Sequence, residues 1–91
     1  MQKQALIVDD EPAVCQMVER VLTSAGLESM TLTRSSDAPG LLYKRKFEIV
    51  FLDLHMPSPD GVELARHIRH SGWNKTTPII LISDDQRPSA M

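Results

Sequence analysis

Short apolar runs alternate with segments of helical periodicity along this chain. Four runs have the length and composition of buried strands, and they cover residues 4–9, 28–33, 47–53 and 78–83. Three segments between them predict helices, at residues 12–25, 35–46 and 61–71. Because strands that alternate with helices form βαβ units, the pattern predicts an α/β domain with a parallel sheet and right-handed crossovers.

The three predicted helices differ in how regularly their apolar positions are spaced. The first begins at Pro12 and ends before Gly26, with an expected inward face of Val14, Met17, Val18, Val21, Leu22 and Ala25. The third ends near Gly72, with an expected inward face of Val62, Leu64, Ala65 and Ile68. Pro39 and Gly40 interrupt the second, so a short or late-starting helix is expected there.

Polar residues follow three of the four apolar runs at the points where the strands end. These residues are Asp9 and Asp10 after the first run, Asp53 at the end of the third, and Ser83 at the end of the fourth. In parallel sheets the carboxyl ends of the strands meet at one edge, where ligands bind. We therefore expect these four side chains to lie together, beside the loop at residues 54–60.

Clustered carboxylates at such an edge repel one another and favour a bound cation. All-oxygen ligands suit Mg²⁺, and the chain has no pair of cysteines for a softer metal. With Mg²⁺ in place, one carboxylate can attack a phosphoryl group and form an aspartyl phosphate. The hydroxyl of Ser83 would then donate a hydrogen bond to a phosphoryl oxygen.

Each of these residue types also has a structural interpretation. Asp9 and Asp10 suit a strand end that leads into a helix N-cap, and Ser83 suits a turn. His67 and His70 are spaced as two metal ligands on one helix, but no third ligand is in view, so solvent exposure is the simpler interpretation.

The composition sets outer limits on these interpretations. The 91 residues are enough for one domain, and the net charge of -2 offers no basic footprint for nucleic acid. No apolar run approaches the roughly 20 residues that span a bilayer, so no membrane partner is expected. The N-terminus has no signal-peptide pattern and Cys15 has no partner for a disulfide. Together these features predict a cytoplasmic location.

Four segments, in order, resemble one family, the receiver domains of two-component response regulators. They are residues 6–12, 53–61, 61–64 with 68–69, and 78–83. The resemblance implies a flavodoxin-like sheet of five parallel strands in the order 2-1-3-4-5. It also implies a signalling domain, not an enzyme.

The resemblance assigns a role to each residue at the expected site. Asp53 would accept a phosphoryl group from the phosphohistidine of a sensor histidine kinase or phosphotransfer protein. Asp10 would bind Mg²⁺ directly, Asp9 directly or through water, and His55 through its backbone carbonyl. Ser83 would be the switch hydroxyl, while Pro57 and Gly61 would shape the loop after the acceptor.

The chain departs from the family pattern after its fourth strand. No lysine follows Lys75, although the family has a phosphate-contacting lysine at the end of a fifth strand. We therefore expect residues 1–91 to be an incomplete receiver domain, with strand order 2-1-3-4 and without the fourth helix, fifth strand and fifth helix. Residues 79–82 would then form an apolar edge strand, which predicts a homodimer through the exposed fourth strand.

A second departure lies directly after the switch hydroxyl. Asp84 stands where the family has a small residue, and Asp85 adds charge, so slower phosphorylation is expected. The alternative function is a phosphorylation-incompetent pseudo-receiver that acts as a protein interaction module. A third candidate, a Mg²⁺-dependent phosphohydrolase, would need a second acid where this chain has His55.

Overall fold

The computed structural model of the chain describes residues 3–83 as four strands and three helices, with one 3₁₀ turn between β2 and α2. Their bounds are β1 Gln4–Val8, α1 Pro12–Ser24, β2 Glu28–Leu32, the 3₁₀ turn Ser35–Asp37, α2 Ala38–Lys44, β3 Ile49–Asp53, α3 Gly61–His70 and β4 Ile79–Ile82. Each strand end lies within two residues of its expected position. The alternating order of the elements follows the apolar periodicity of the sequence.

The four strands form one parallel sheet in the order β2-β1-β3-β4, which confirms the expected 2-1-3-4 arrangement. In register, Val8 lies opposite Leu32 on one side and Leu52 on the other, while Asp53 lies opposite Ile82. The carboxyl ends of all four strands therefore reach the same edge of the sheet.

Helices cover both faces of the sheet, and each face has its own apolar core. The larger core packs α2 and α3 against alternate residues of the two central strands, and its members are Leu6, Val8, Ala38, Leu42, Phe47, Val50, Leu52, Met56, Leu64 and Ile68. The smaller core packs α1 against the opposite face, and its buried members are Ala5, Ile7, Cys15 and Leu22. Because the central strands are covered on both sides, their residues are continuously apolar.

The expected inward face of α1 is wrong in part. Met17 and Val21 are 60% and 64% exposed, and Ala25 is exposed as well, whereas Cys15 is buried. The buried face runs through Cys15, Val18 and Leu22, because within residues 3–83 the sheet is the main surface that α1 contacts. The sequence pattern marks a wider apolar stripe than one contact surface can cover.

Two further helix predictions need correction. Val62 is 44% exposed, while Gly61 takes the buried position beside Leu64 and Ile68 on α3. Pro39 does not interrupt the second helix: α2 begins at Ala38 and places Pro39 in its first turn, where no intrahelical N–H bond is lost. The helix is short, as expected, with seven residues.

The loop between α3 and β4 is fastened to the end of α2 by one buried amide. The Asn74 side chain is 0% exposed. Its Nδ2 donates to the carbonyl oxygens of Leu42 and Arg45, both at 2.7 Å. Its Oδ1 accepts from the Phe47 N–H at 2.8 Å and from the Thr77 hydroxyl at 2.9 Å. This side chain therefore joins α2, the approach to β3 and the approach to β4.

The expectations for Asp84 and Asp85 lie outside the described residues. Among the helices of residues 3–83, none is long and apolar enough to cross a membrane.

Candidate functional site

Three carboxylates meet at the carboxyl edge of the sheet. One oxygen from each of Asp9, Asp10 and Asp53 can be chosen so that the three atoms lie within 4.8 Å of one another. Asp9 and Asp53 are each 2% exposed, whereas Asp10 is exposed. Two buried acids and one accessible acid thus face the same small volume.

Backbone N–H groups fix the orientation of the two buried carboxylates. The Asp9 carboxylate accepts a hydrogen bond from the Glu11 N–H at 2.9 Å, where the chain turns into α1. The Asp53 carboxylate accepts one from the His55 N–H at 3.0 Å, in the turn after β3. Each acid bonds two residues ahead in the chain, a turn that Asp forms readily. These bonds leave oxygen lone pairs of both acids available to a cation.

The loop after β3 is closed by a capping box at the start of α3. The Asp60 side chain accepts from the Glu63 N–H at 2.9 Å, and the Glu63 side chain accepts from the Asp60 N–H at 2.8 Å. Gly61 then packs directly on the backbone of Asp53. The helix start therefore bears on the residue that carries the central carboxylate.

Ser83 lies at the same edge as the three acids. It directly follows β4, whose Ile82 carbonyl accepts a hydrogen bond from the Leu54 N–H at 2.9 Å. Ser83 is exposed to solvent. Its role as a switch, like the ligand role of the His55 carbonyl, remains a prediction.

A cleft of about 220 Å³ adjoins Asp10, one of the three acids, on the side of β2. Its lining is polar apart from Pro57, and comprises Asp10, Thr33, Arg34, Ser35, Ser36, Pro57 and Ser58. The Ser35 hydroxyl donates to the Pro57 carbonyl at 3.0 Å and so ties the two loops that form the cleft. Pro57 was expected to shape the loop, whereas Ser35 gave no signal in the sequence because its partner is distant in the chain.

Cys15 is a neighbour of the site that the sequence pattern did not identify. Its thiol donates to the Asp9 carbonyl at 3.4 Å, and the side chain is buried beneath the first strand end. Burial, with the Asp9 charge, raises the pKa of the Cys15 thiol above its ordinary value. The residue therefore packs as a small apolar group. Its spacing from Val18 and Leu22 is the signal that could have placed it on the inner face.

In the metal-free protein, no bound cation offsets the negative charge of the carboxylate cluster. The pKa of Asp9 is raised to about 6, chiefly by burial. The Asp53 and Asp10 charges and a hydrogen bond with the Asp53 side chain contribute to the rise, and the Glu11 N–H bond opposes it. Asp9 thus retains a proton in the folded, metal-free protein at a pH where an ordinary aspartate is ionised.

This raised pKa predicts that metal-free protein loses stability as the pH rises. The ordinary pKa of Asp9 is 3.8, so its stabilising contribution is complete below about pH 4 and is lost as the pH passes through about 6. We expect the Asp9-dependent part of the unfolding free energy to fall by about 2 kcal/mol between pH 4 and pH 7. Urea unfolding in EDTA at a series of pH values measures this fall.

Two variants separate Asp9 from the other titrating groups. Asp9→Asn removes the titration and is expected to flatten the pH profile, whereas Glu19→Gln, at an exposed position of α1, should leave the profile unchanged. Equal slopes for wild type and Asp9→Asn would contradict the assignment.

The sequence of this chain is similar to those of known proteins. The chain matches the response regulator receiver domain family over residues 5–91. It is 34% identical over 90 residues to the two-component response regulator ARR2 of Arabidopsis thaliana, and 32% identical over 81 residues to the phosphate regulon transcriptional regulatory protein PhoB of Pseudomonas aeruginosa. The matches cover 97% and 89% of this chain, but it spans only 13% and 35% of those two relatives.

Solved structures show the same fold. The chemotaxis protein CheY4 of Vibrio cholerae is 30% identical, with a TM-score of 0.82 over 97% of this chain and 73% of that one. The receiver domain of sensor histidine kinase PA1611 from Pseudomonas aeruginosa has a TM-score of 0.83 at 22% identity, over 93% of this chain and 70% of that one. That structure holds a magnesium ion in its active-site cleft. These likenesses support the flavodoxin-like arrangement of the strands.

Proposed function

Because this chain belongs to the response regulator receiver domain family, we propose that Asp53 accepts a phosphoryl group from a phosphohistidine of a sensor histidine kinase or phosphotransfer protein. One observation carries the proposal. The buried Asp53 carboxylate, at the end of the third strand, shares a 4.8 Å cluster with two further acids. A surface carboxylate without such neighbours would have no means of holding a phosphoryl group.

The acids fit a magnesium ion. Asp9, Asp10 and Asp53, with the backbone carbonyl of His55, would supply an all-oxygen ligand set. The raised pKa of Asp9 is consistent with this fit, because after burial the Asp53 and Asp10 charges contribute to it, and a cation would offset those charges. When bound, Mg²⁺ supplies positive charge beside the transferred phosphoryl oxygens.

The residues of the chain supply the nucleophile and its orientation. The His55 N–H holds one Asp53 oxygen, and we assign the attack on phosphorus to the other. In that step the P–O bond to Asp53 forms and the P–N bond to the donor imidazole breaks, and the nitrogen keeps the electron pair. The Ser83 hydroxyl would donate to a phosphoryl oxygen. The aspartyl phosphate would carry a charge of about −2 in place of the −1 of the carboxylate, and this change would bias the nearby loops and carry the signal.

Labelling and analogue binding test this function. With acetyl phosphate and Mg²⁺, we expect intact mass spectrometry to detect one phosphoryl group on wild type and on Asp37→Asn, which changes an exposed acid. Asp53→Asn should acquire none. Beryllofluoride with Mg²⁺ should shift the amide resonances around Asp53 and His55. Labelling of Asp53→Asn to the wild-type extent would overturn the proposed acceptor.

The second candidate function, an interaction module that is not phosphorylated, is favoured by the sequence Asp84-Asp85 directly after Ser83. Two carboxylates there would repel an incoming phosphoryl donor. Beryllofluoride separates the candidates, since a wild-type chain that binds Mg²⁺ but not beryllofluoride supports the interaction module. If Asp84→Ala then left the acetyl phosphate labelling rate unchanged, the proposed repulsion would be wrong.

We also propose that two chains associate through β4. Within residues 3–83, β4 pairs only with β3, and its Ile80 and Leu81 side chains are 44% and 45% exposed. An apolar edge strand is a template for pairing. Sedimentation velocity at micromolar concentration should show a dimer for wild type and for Val62→Lys, whose site is also 44% exposed, and a monomer for Ile80→Lys. A wild-type monomer would exclude this dimer.

The cytoplasmic location of the protein stays a prediction.

A further inference from the structure

The positive charges of the chain are concentrated away from the carboxylate cluster. Residues 41–47 and 66–77 contain no Asp or Glu, and their exposed basic residues are Lys44, Arg45, Lys46, Arg66, Arg69 and Lys75. The two segments lie side by side, since the Lys46 ammonium donates to the Thr77 hydroxyl at 3.2 Å and α2 contacts α3. We call this the α2–α3 basic surface.

The same surface carries the exposed aromatic side chains of the described residues. Trp73 is 68% exposed and Tyr43 is 58% exposed, whereas Phe47 is buried and Phe51 is half-buried. Tryptophan, tyrosine and arginine are enriched at the energetic centres of protein interfaces. An exposed tryptophan at this place contributes little to either core.

The loop holds Trp73 in a fixed position. Gly72 before it has φ +83°, and a Cβ there would lie 2.7 Å from the Tyr43 Cα and 2.8 Å from the Tyr43 carbonyl oxygen. Asn74 after it is fully buried and makes four hydrogen bonds. Because the residues on both sides of Trp73 are anchored, its backbone loses little conformational entropy on binding, which favours recognition.

Only some of these basic side chains make hydrogen bonds within the fold. Arg45 donates to the Gln4 side chain, and Arg69 donates to the Asn74, Lys75 and Thr77 carbonyls. Within residues 3–83, the side chains of Lys44, Arg66 and Lys75 make no hydrogen bond or ion pair. Helix dipoles account for basic residues near the ends of α2 and α3, but they do not account for an exposed tryptophan.

We propose that the α2–α3 basic surface binds a short acidic polypeptide segment that also carries apolar side chains. Its carboxylates would pair with Lys44, Arg66 and Lys75, and its apolar groups would cover Trp73 and Tyr43. Polypeptide fits better than nucleic acid or an anionic bilayer, since affinity for those surfaces depends on many phosphate contacts. The chain has a net charge of -2, and the two segments of this surface contain no Asp or Glu, so the carboxylates of residues 3–83 lie elsewhere and would repel an extended polyanion.

Trp73 is the single tryptophan, so its emission reports binding directly. We expect a synthetic peptide of Glu, Asp, Leu and Phe to shift that emission to shorter wavelength at low salt. The same peptide with Lys at each acidic position should cause no shift. Absence of a shift with the acidic peptide, or tighter binding of oligothymidylate or of phosphatidylserine vesicles, would overturn the proposal.

Charge-reversed variants locate the binding surface. By anisotropy of the labelled acidic peptide, Lys44→Glu combined with Lys75→Glu should lower affinity about ten-fold or more. Arg20→Glu combined with Arg34→Glu makes the same change in net charge at exposed positions elsewhere and should lower it less than about three-fold. Trp73→Ala should lower it about thirty-fold. Equal losses in the two charge-reversed variants, with native circular dichroism in both, would exclude this surface.

Discussion

Asn74→Asp is expected to lower the free energy of unfolding strongly at neutral pH. The side chain has no exposure to solvent, and its amide nitrogen donates to the Leu42 and Arg45 carbonyls. A carboxylate of the same shape cannot donate, so both carbonyls lose a partner and a charge is buried opposite them. The expected loss is about 3–5 kcal/mol, which is a large part of the roughly 5–15 kcal/mol that stabilises a folded domain.

Urea unfolding followed by far-ultraviolet circular dichroism measures this loss. Gln16→Glu makes the same amide-to-carboxylate change at an exposed position of α1 and is expected to alter the unfolding free energy by less than about 0.5 kcal/mol. Thr77→Val, which removes one of the four hydrogen-bond partners, should cost about 1–2 kcal/mol. If Asn74→Asp were as stable as Gln16→Glu, the hydrogen-bond network would not hold the loop.

The sheet and its acidic edge could be predicted from local sequence. Runs such as residues 49–53 are continuously apolar because both faces of a central parallel strand are covered. Once the strands are parallel, Asp9 and Asp53 must reach the same edge. The pattern of apolar residues and the parallel direction of the strands are therefore sufficient to predict that these acids lie together, without any knowledge of long-range contacts.

The residues that sequence reasoning missed depend on contacts between distant segments. Asn74 lies in a loop whose polar composition is typical of an exposed turn. The side chain is nevertheless buried, because it forms hydrogen bonds with four partners from three segments. Met17 was assigned to the inner face of α1 and Cys15 was not, since periodicity gives the spacing of a helix face but not the width of its contact. Pro39 was treated as a helix breaker, although its effect depends on whether it lies in the first turn.

Gly61 shows the same limit at the site itself. It is the first residue of α3, directly after Asp60, whose side chain forms a capping box with Glu63. Its packing on Asp53 is a long-range fact that the pattern does not contain. A Cβ at Gly61 would lie 2.5 Å from the Asp53 carbonyl oxygen and 3.0 Å from both the Asp53 carbonyl carbon and the Leu54 Cα.

Gly61→Ala is therefore expected to destabilise the protein and displace the acceptor. All three colliding atoms belong to the backbone beside the last residue of β3, so no side chain can rotate away and the start of α3 must move. We expect a loss of about 2–4 kcal/mol in unfolding free energy. Because Asp53 carries a ligand for the proposed metal, Mg²⁺ affinity should fall as well, by about ten-fold or more.

Gly40→Ala provides the matched control for this change. Gly40 lies inside α2 with no atom within 4 Å of its Cβ position, so the substitution should stabilise the protein by about 0.5–1 kcal/mol through helix propensity. Urea unfolding and Mg²⁺ titration by isothermal calorimetry compare the two variants under one set of conditions. A Gly61→Ala protein with wild-type stability and Mg²⁺ affinity would mean that the start of α3 can move away from Asp53 without strain. In that case close packing of the helix would not be what fixes the acceptor in place.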